Sequence, residues 1–258
     1  MANAAYLFAQ SATDDAAYVA LADLAELLKD RPAARIIGGH AVSLLSAAFP
    51  ASGMVERRTG DADAGIPVEL ADTGELHVAL ESAGYSAVNS NRYVKDGWDP
   101  PAPTIDVLIP SLGGHFRPEV RAGREFDAMP GLNLALGDGG IPVDTVARLR
   151  DGTELAFTVT VPEVELMVVL KAIAWAGRGA QGPKDAIDLA NLFAVADNYD
   201  AADIGGWRLG ETALIGARKD AAASLHRLAD HADAGWLART PIDARLLTVR
   251  IRRRVTRP

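Results

Sequence analysis

The sequence predicts an α+β protein, with a mixed β-sheet flanked by helices and a helical subdomain toward the C-terminal end. Two observations support this class. Between residues 14 and 109, segments with helical apolar spacing alternate with segments typical of strands. Residues 141–161 then have the composition of strands, and from Pro162 onward the apolar spacing is mainly helical. We therefore predict a first domain at residues 1–161 and a helical subdomain at residues 162–258.

The composition is that of a chain with a substantial buried core. Of its 258 residues, 49% are apolar and 23% are charged, close to the average for globular domains. The absence of cysteine excludes disulfides, thiolate metal sites and a cysteine nucleophile. The first residues lack a basic leader, and no apolar run reaches the roughly 18 residues that cross a bilayer. We expect a cytoplasmic protein with no membrane partner.

Charge is distributed unevenly along the chain. The net charge is −8, but residues 236–258 contain seven arginines and one aspartate, which leaves 19 basic and 33 acidic residues, or −14, elsewhere. An acidic protein binds nucleic acid poorly without specific contacts, whereas a local arginine cluster can bind phosphates. The arginine-rich tail is therefore either a contact for RNA or an acidic partner, or a solvated terminal segment.

A glycine turn follows the first predicted helix. Residues 14–30 place leucines at helical spacing behind two aspartates, which favour a helix N-terminus. Residues 35–37 are typical of a strand, and a helical pattern resumes after Gly38-Gly39 and continues to residue 49. A strand, a glycine turn and a helix in this order can offer backbone N–H groups to a phosphate.

Two aspartates one residue apart follow a loop at residues 51–60. The alternation of residues 61–68 predicts a strand, on which Asp61 and Asp63 would project from one face. Their Cα atoms would lie about 7 Å apart at the usual rise per residue. Mg²⁺ prefers oxygen ligands and is usually bound by one or two carboxylates together with substrate phosphates, so this pair suits magnesium.

A third aspartate lies inside another predicted strand. Residues 73–83 predict a helix ended by Gly84, and extended segments follow at residues 85–94 and 104–109. Asp106 interrupts the apolar run of the last segment. Burying a lone carboxylate costs several kcal/mol, so this position predicts a bound metal or a charged partner.

Three motifs together resemble the nucleotidyltransferase fold of the DNA polymerase β-like superfamily. They are Gly38-Gly39-His40-Ala41, Arg58-Thr59-Gly60-Asp61-Ala62-Asp63 and Thr104-Ile105-Asp106-Val107-Leu108. A later segment, KAIAWAGRGAQGPKDAIDLANL, resembles AbiEii-type nucleotidyltransferases, a group that includes toxins. Its matching residues are Lys171, Arg178, Lys184, Asp185 and Asp188. The resemblance covers roughly residues 34–193 and departs from the family pattern between Gly39 and Asp61 and in the glycine-rich stretch before Lys184.

The resemblance implies a magnesium-dependent enzyme that transfers a nucleoside monophosphate from an NTP to an acceptor hydroxyl. It implies two Mg²⁺ ions held by Asp61, Asp63 and Asp106, with Asp106 beside the attacking oxygen as ligand and base. The catalytic residues implied are Asp61, Asp63, Asp106, Lys171 and Asp188. The nucleotide-binding residues implied are Gly38, Gly39, His40, Arg58, Thr59, Lys184 and Asp185. For an AbiEii-like toxin, the implied partners are an RNA or tRNA acceptor and an antitoxin protein.

Some of these residues also have ordinary structural explanations. Lys171 lies in an otherwise apolar helix, where a lysine can extend along the edge of a core. Asp185 and Asp188 share one helix face and would order the nearby cations, or else they are surface acids near a helix start. His40 would touch a phosphate or pack structurally.

Two other functions remain open at this point. One is adenylylation of a small molecule such as an aminoglycoside, whose cationic acceptor would suit the acidic bulk of the chain. The other is a catalytically silent nucleotide-binding module. Gly177, Gly179 and Gly182 imitate a dinucleotide-binding motif but follow a predicted helix outside any βαβ unit, so we predict a linker between helices. The histidines lack the spacing of zinc ligands.

Overall fold

The computed structural model describes residues 3–137, 139–178, 183–231 and 240–258, which form ten strands and nine helices. The strands are β1 (Asn3–Phe8), β2 (Arg35–Ile37), β3 (Ala62–Gly65), β4 (Tyr85–Ala87), β5 (Arg92–Lys95), β6 (Thr104–Pro110), β7 (Arg117–Arg121), β8 (Arg124–Met129), β9 (Ile141–Arg148) and β10 (Glu154–Val161). The helices are α1 (Ala12–Leu28), α2 (Gly38–Ala48), α3 (Val68–Thr73), α4 (Glu75–Ser82), α5 (Leu132–Ala135), α6 (Val164–Gly177), α7 (Pro183–Asn198), α8 (Gly216–Asp230) and α9 (Ala244–Arg254).

The larger of two sheets has seven strands among the described residues and is mixed. Its main path is β2-β3-β6-β5-β4, while β8 pairs with the end of β6 and β7 pairs with β8. Strands β3 and β8 run parallel to β6, and the other pairs are antiparallel. Helices α1 and α2 both contact β3. This arrangement confirms the predicted α+β class and the mixed sheet flanked by helices.

One row of this sheet brings charged residues together. Asp63 of β3 lies opposite Asp106 of β6, and Asp106 lies opposite Arg92 of β5. Residues directly opposite each other on neighbouring strands project from the same face of a sheet. On β2, the residue opposite Asp63 is Ile37, which immediately precedes the glycine turn. The strand register therefore places two aspartates, an arginine and the start of α2 side by side.

Helix α1 and the start of α2 were predicted well, but two other elements differ from the prediction. The strand predicted at residues 61–68 covers only β3, because the chain turns at Pro67 to begin α3. The helix predicted at residues 73–83 corresponds to α4, which begins only after Gly74; the φ of +70° at Gly74 separates it from α3, a helix that was not predicted. The predicted end at Gly84 is confirmed, and Gly84 also has a positive φ, of +82°.

A smaller sheet of three strands, in the order β1-β9-β10, contacts the larger one through β10 and β2. Strands β9 and β10 confirm the β-structure predicted at residues 141–161. Strand β1 was not predicted; it pairs in parallel with β9, a distant part of the chain, with Asn3 opposite Val143. The hairpin of β7 and β8 was also not predicted.

The segment after Pro162 is helical among the described residues, as predicted. Helix α6 is buried on nearly all sides because it contacts α7, α8, α5 and α2. Helix α7 also contacts α2, so the C-terminal helices share one apolar core with the sheet. The predicted boundary at residue 161 falls at the end of β10. Of the described helices, none has the length and apolar character needed to cross a bilayer.

The arginine-rich segment forms a packed helix rather than a solvated tail. Three arginines near the end of α9 form ion pairs with Asp197 of α7: Arg250, Arg253 and Arg254. Two more pair with Asp230 at the end of α8: Arg252 and Arg257. Asp243 caps the start of α9 by accepting from the N–H groups of Arg245 and Leu246. Much of the tail's positive charge is thus neutralised internally.

Replacing Asp197 with asparagine should weaken the attachment of α9. Arg250 is 8% exposed and would keep its charge while losing its carboxylate partner. We expect the free energy of unfolding to fall by about 1–3 kcal/mol, measured by urea denaturation. Glu211→Gln is the matched control, because the Glu211 and Arg208 side chains are 52% and 61% exposed. That control should change stability by less than about 0.5 kcal/mol. Equal losses in the two variants would contradict the prediction.

Candidate functional site

A cleft of about 590 Å³ lies between the sheet and the C-terminal helices. One wall comes from β3, β5, β6 and the start of α2, and the other comes from α6 and the start of α7. Acidic side chains line the first wall: Asp61, Asp63 and Asp106. Basic side chains line the second: Lys171, Arg178 and Lys184. We call the first, where three carboxylates lie beside Arg57 and Arg92, the acidic wall, and the second, where three cations lie beside Asp185, the basic wall.

The three aspartates converge on the acidic wall. Asp63 and Asp106 are opposite each other on parallel strands, and one arginine contacts both Asp106 and Asp61. Burial and, to a smaller extent, the negative charges of Asp61 and Asp106 together raise the pKa of Asp63 to about 7. Asp106 thus faces the same side of the sheet as the other two, as the sequence predicted.

The arginine between the carboxylates is Arg92 of β5, which the sequence analysis did not select. Its Nε donates to Oδ1 of Asp106 at 2.8 Å and its Nη2 donates to Oδ2 of Asp106 at 2.6 Å. The same Nη2 lies 3.2 Å from Oδ2 of Asp61. The hydrogen bonds that Arg92 donates to Asp106 raise the pKa of its guanidinium, and the negative charges of Asp106, Asp61 and Asp63 add to this effect. Only the pairing of β5 with β6 reveals this contact.

The two glycines leave room for other side chains of the site. Gly38 has a φ of +68°, and a Cβ atom on it would lie 1.8 Å from Oδ2 of Asp63. A Cβ atom on Gly39 would lie 2.3 Å from Nη1 of Arg57 and 2.9 Å from Cβ of Thr59. The first turn of α2 can therefore approach the Asp63 carboxylate closely, and unpaired N–H groups at a helix N-terminus favour negative charge there.

A buried ion network lies behind the basic wall. Nζ of Lys171 is 2.7 Å from Oδ2 of Asp188 and 3.8 Å from Oδ1 of Asp185. Nε of Arg57 is 3.1 Å from Oδ1 of Asp188, and Nη1 of Arg178 is 2.7 Å from Oδ2 of Asp185. The Asp188 side chain is completely buried and that of Lys171 is 9% exposed. These acids are therefore not surface residues, and Lys171 is not a lysine that extends into solvent.

The network also shifts the pKa of its most buried acid. Burial raises the pKa of Asp188, while the positive charges of Lys171 and Arg57 oppose the rise. A carboxylate buried to this degree is retained in its charged form only when cations accompany it. Asp188 accordingly lies between Lys171 and Arg57. Its buried carboxylate holds both cations in place at the edge of the cleft.

Two predicted nucleotide-binding residues lie outside the cleft. Arg58 forms ion pairs with Asp14 and Glu56, and it lines a neighbouring cavity of about 360 Å³. His40 is 2% exposed and lines the same cavity, where burial lowers its pKa to about 4. The imidazole is thus neutral near pH 7 and packs beside Tyr18. Arg57, which the sequence analysis did not select, lines the cleft in place of Arg58.

The remaining predicted residues are at the cleft. Oγ1 of Thr59 donates to Oδ1 of Asp61 at 2.8 Å, which orients that carboxylate. Lys184 is exposed at the start of α7, and Asp185 lines the cleft beside it. Of the glycine motif at residues 177–182, Gly177 is the last residue of α6. Gly179 and Gly182 of that motif are outside the described residues.

The three carboxylates of the acidic wall are the candidate ligands for the Mg²⁺ that the motifs imply. In the described ranges, no three acidic or histidine side chains surround one point with metal-ligand geometry. Arg92 lies between two of the three carboxylates in this arrangement. Burial is the main cause of the raised pKa of Asp63, and the negative charges of Asp61 and Asp106 add to it. Carboxylate oxygens are donors that Mg²⁺ prefers, so Asp61, Asp63 and Asp106 fit the ion that the motifs imply.

Comparisons of this chain with protein-family models, with curated proteins and with solved structures found no match.

Replacing Gly38 with alanine should destabilise the protein far more than replacing Gly53. Both glycines have positive φ, of +68° and +78°, so both variants incur the same backbone strain of about 1–2 kcal/mol. Nothing lies within 4 Å of a Cβ atom on Gly53, whereas Asp63 blocks one on Gly38. We expect the Gly38 variant to lose about 2 kcal/mol more in urea denaturation. Adding Asp63→Ala to Gly38→Ala should recover most of this excess, because it removes the carboxylate atoms that lie 1.8 and 2.5 Å from the added Cβ atom. Equal losses of stability at the two glycines would refute the contact.

The buried His40 should make stability depend on pH. Its pKa is about 4 in the folded protein and about 6.5 when unfolded, so the unfolded state takes up a proton first as pH falls. The free energy of unfolding should decrease between pH 6.5 and pH 4 by up to about 3 kcal/mol from this group. In His40→Gln that contribution is absent. When the free energies of unfolding of the two proteins are plotted against pH, the difference between them should shrink as the pH falls from 6.5 to 4. A constant difference would show that His40 does not titrate in this way.

Proposed function

We propose that the protein is a magnesium-dependent nucleotidyltransferase that moves a nucleoside monophosphate from an NTP to an acceptor hydroxyl. The observation that supports this most is the convergence of Asp61, Asp63 and Asp106 on one wall of a cleft whose other wall is basic. A metal-bound triphosphate needs both signs of charge, because carboxylates bind the cations and lysine or arginine binds the phosphate oxygens.

The size and lining of the cleft suit a nucleotide. Its volume of about 590 Å³ is within the usual range of roughly 300–1,000 Å³ for small-molecule sites. Met129, Met167 and Leu170 provide apolar surface in the same cleft, against which a base or a sugar can pack. The start of α2 adds backbone N–H groups and a favourable dipole beside the carboxylates.

The proposed roles follow from the contacts. Asp61, Asp63 and Asp106 would hold Mg²⁺, which when bound supplies the charge that activates the hydroxyl and neutralises the leaving pyrophosphate. Thr59 holds the Asp61 carboxylate in position. The acceptor oxygen attacks the α-phosphorus, its proton passes to the Asp106 carboxylate, and the bond to pyrophosphate breaks. Because Asp188 fixes Lys171, its ammonium group contacts the triphosphate without having to be ordered first.

The basic wall would hold the triphosphate from the other side. Lys184 is exposed where α7 begins, and Arg178 remains largely exposed although it pairs with Asp185. Both can therefore reach phosphate oxygens without being drawn out of a buried position. Arg57 lies beside Gly39 and completes the cationic surface next to the glycine turn.

We assign the acceptor to RNA or tRNA, as in an AbiEii-like toxin with an antitoxin partner. The segment from Lys171 to Asp188 carries the resemblance to that group. The side chains of Arg252, Arg253 and Arg257 are each more than half exposed although each has an acidic partner. They line an open cavity of about 510 Å³, where phosphate oxygens can add to their contacts with Asp197 and Asp230.

The test is transfer of label from each α-labelled NTP, with Mg²⁺, to total RNA, purified tRNA or a panel of aminoglycosides. We expect label in RNA, and Asp61→Asn and Asp106→Asn should each reduce it by at least about 100-fold, because each removes a carboxylate of the metal site. Label in an aminoglycoside and not in RNA would show that the acceptor is a small molecule.

The matched control is Asp144→Asn, an exposed aspartate of β9 that contacts Thr158 away from the cleft. It should retain the activity of the unmodified protein. Thermal unfolding of every variant verifies that the fold is retained. The absence of any Asp61-dependent label in all products would reject the proposed function.

A further inference from the structure

Arg92 occupies the oxygens that a metal would need. Its guanidinium binds both oxygens of Asp106 and one oxygen of Asp61. A carboxylate oxygen that accepts a short charged hydrogen bond has fewer lone pairs to offer a cation. A divalent ion can therefore bind these two aspartates fully only after Arg92 has moved.

The position of Arg92 allows it to move. Its side chain is 42% exposed, whereas that of Asp106 is 12% exposed. Arginine has a long stem, so the guanidinium can turn into the cleft without any change in β5. Once a divalent ion is present, the ion repels the arginine, and the triphosphate beside it attracts the arginine. The same positive charge thus has two alternative partners within one cleft.

We infer that Arg92 substitutes for the metal in the free protein and transfers to the NTP phosphates when Mg²⁺ binds, so that metal and nucleotide bind cooperatively. Arg92 is then a positioning residue with two states, which rests on the proposed function. The metal alone must displace an ion pair, and it binds weakly. The metal with a triphosphate provides a new partner for the displaced arginine, and it binds tightly.

The test measures metal binding directly and needs no turnover. Mg²⁺ is titrated calorimetrically into the unmodified protein, Arg92→Gln and Arg92→Lys, without nucleotide. We expect Arg92→Gln to bind Mg²⁺ at least about tenfold more tightly, since two aspartates are freed. Arg92→Lys keeps the charge but lacks the two-pronged donor, and its affinity should be intermediate. Arg117→Gln is the matched control, because Arg117 is an exposed arginine of β7 that pairs with Glu119, and its metal affinity should not change.

A second measurement separates displacement from a general effect of charge. The same titrations are repeated with inorganic triphosphate at matched free Mg²⁺. In the unmodified protein, triphosphate should tighten Mg²⁺ binding by a larger factor than in Arg92→Gln, because only the former has an arginine to transfer. An equal factor in both proteins would overturn the inference even if the variant bound metal more tightly.

The inference and the proposed function fail differently. If Arg92→Gln binds Mg²⁺ as the unmodified protein does, or neither binds it, the inference is overturned. If Asp61-dependent transfer of label is still observed, the proposed function stands without it. If Arg92→Gln binds Mg²⁺ more tightly and loses coupling to triphosphate, but no label is transferred to any acceptor, the inference stands and the proposed function falls.

Discussion

The parallel pairing of β3 with β6 is the constraint on which the rest of the site depends. It places Asp63 opposite Asp106. Because Asp61 is only two residues before Asp63, negative charge is concentrated on one face of the sheet. The surrounding structure compensates that charge only in part. Arg92, which lies on β5, binds the carboxylates of Asp106 and Asp61. The first turn of α2, at Gly38, lies close to the carboxylate of Asp63. Burial, together with the negative charges of Asp61 and Asp106, raises the pKa of Asp63 to about 7.

A second constraint joins the C-terminal helices to the sheet. Asp188 is buried in α7 between Lys171 of α6 and Arg57 of the loop before β3. Removing the Asp188 carboxylate would take from both cations the buried partner that they share, which is costly. Arg57 in turn packs against Gly39 at the start of α2. The basic wall and the acidic wall are therefore held in a common arrangement by charges that also line the cleft.

Much of this site could be predicted from the sequence, but not all of it. The motifs led to Asp61, Asp63, Asp106, Thr59 and the residues of α6 and α7, because each has a recognisable local pattern. Arg92 could not be found, since nothing local marks it and only the pairing of β5 with β6 brings it to Asp106. Whether Arg57 or Arg58 lines the cleft depends on the path of the loop before β3, which no local pattern predicts. His40 was misplaced because a helix has two sides and the motif does not say which one faces the cleft.

The same division applies to the fold. By itself the sequence determined the α+β class, the glycine turn, the β-structure at residues 141–161 and the helices that follow, because apolar periodicity and turn residues act over a few positions. The tertiary structure alone decided that β1 pairs with β9, that α9 packs on Asp197 and Asp230, and that Arg92 bridges two aspartates. Each of these contacts joins distant segments or neighbouring strands, and its geometry exists only once the strands have paired and the helices have packed.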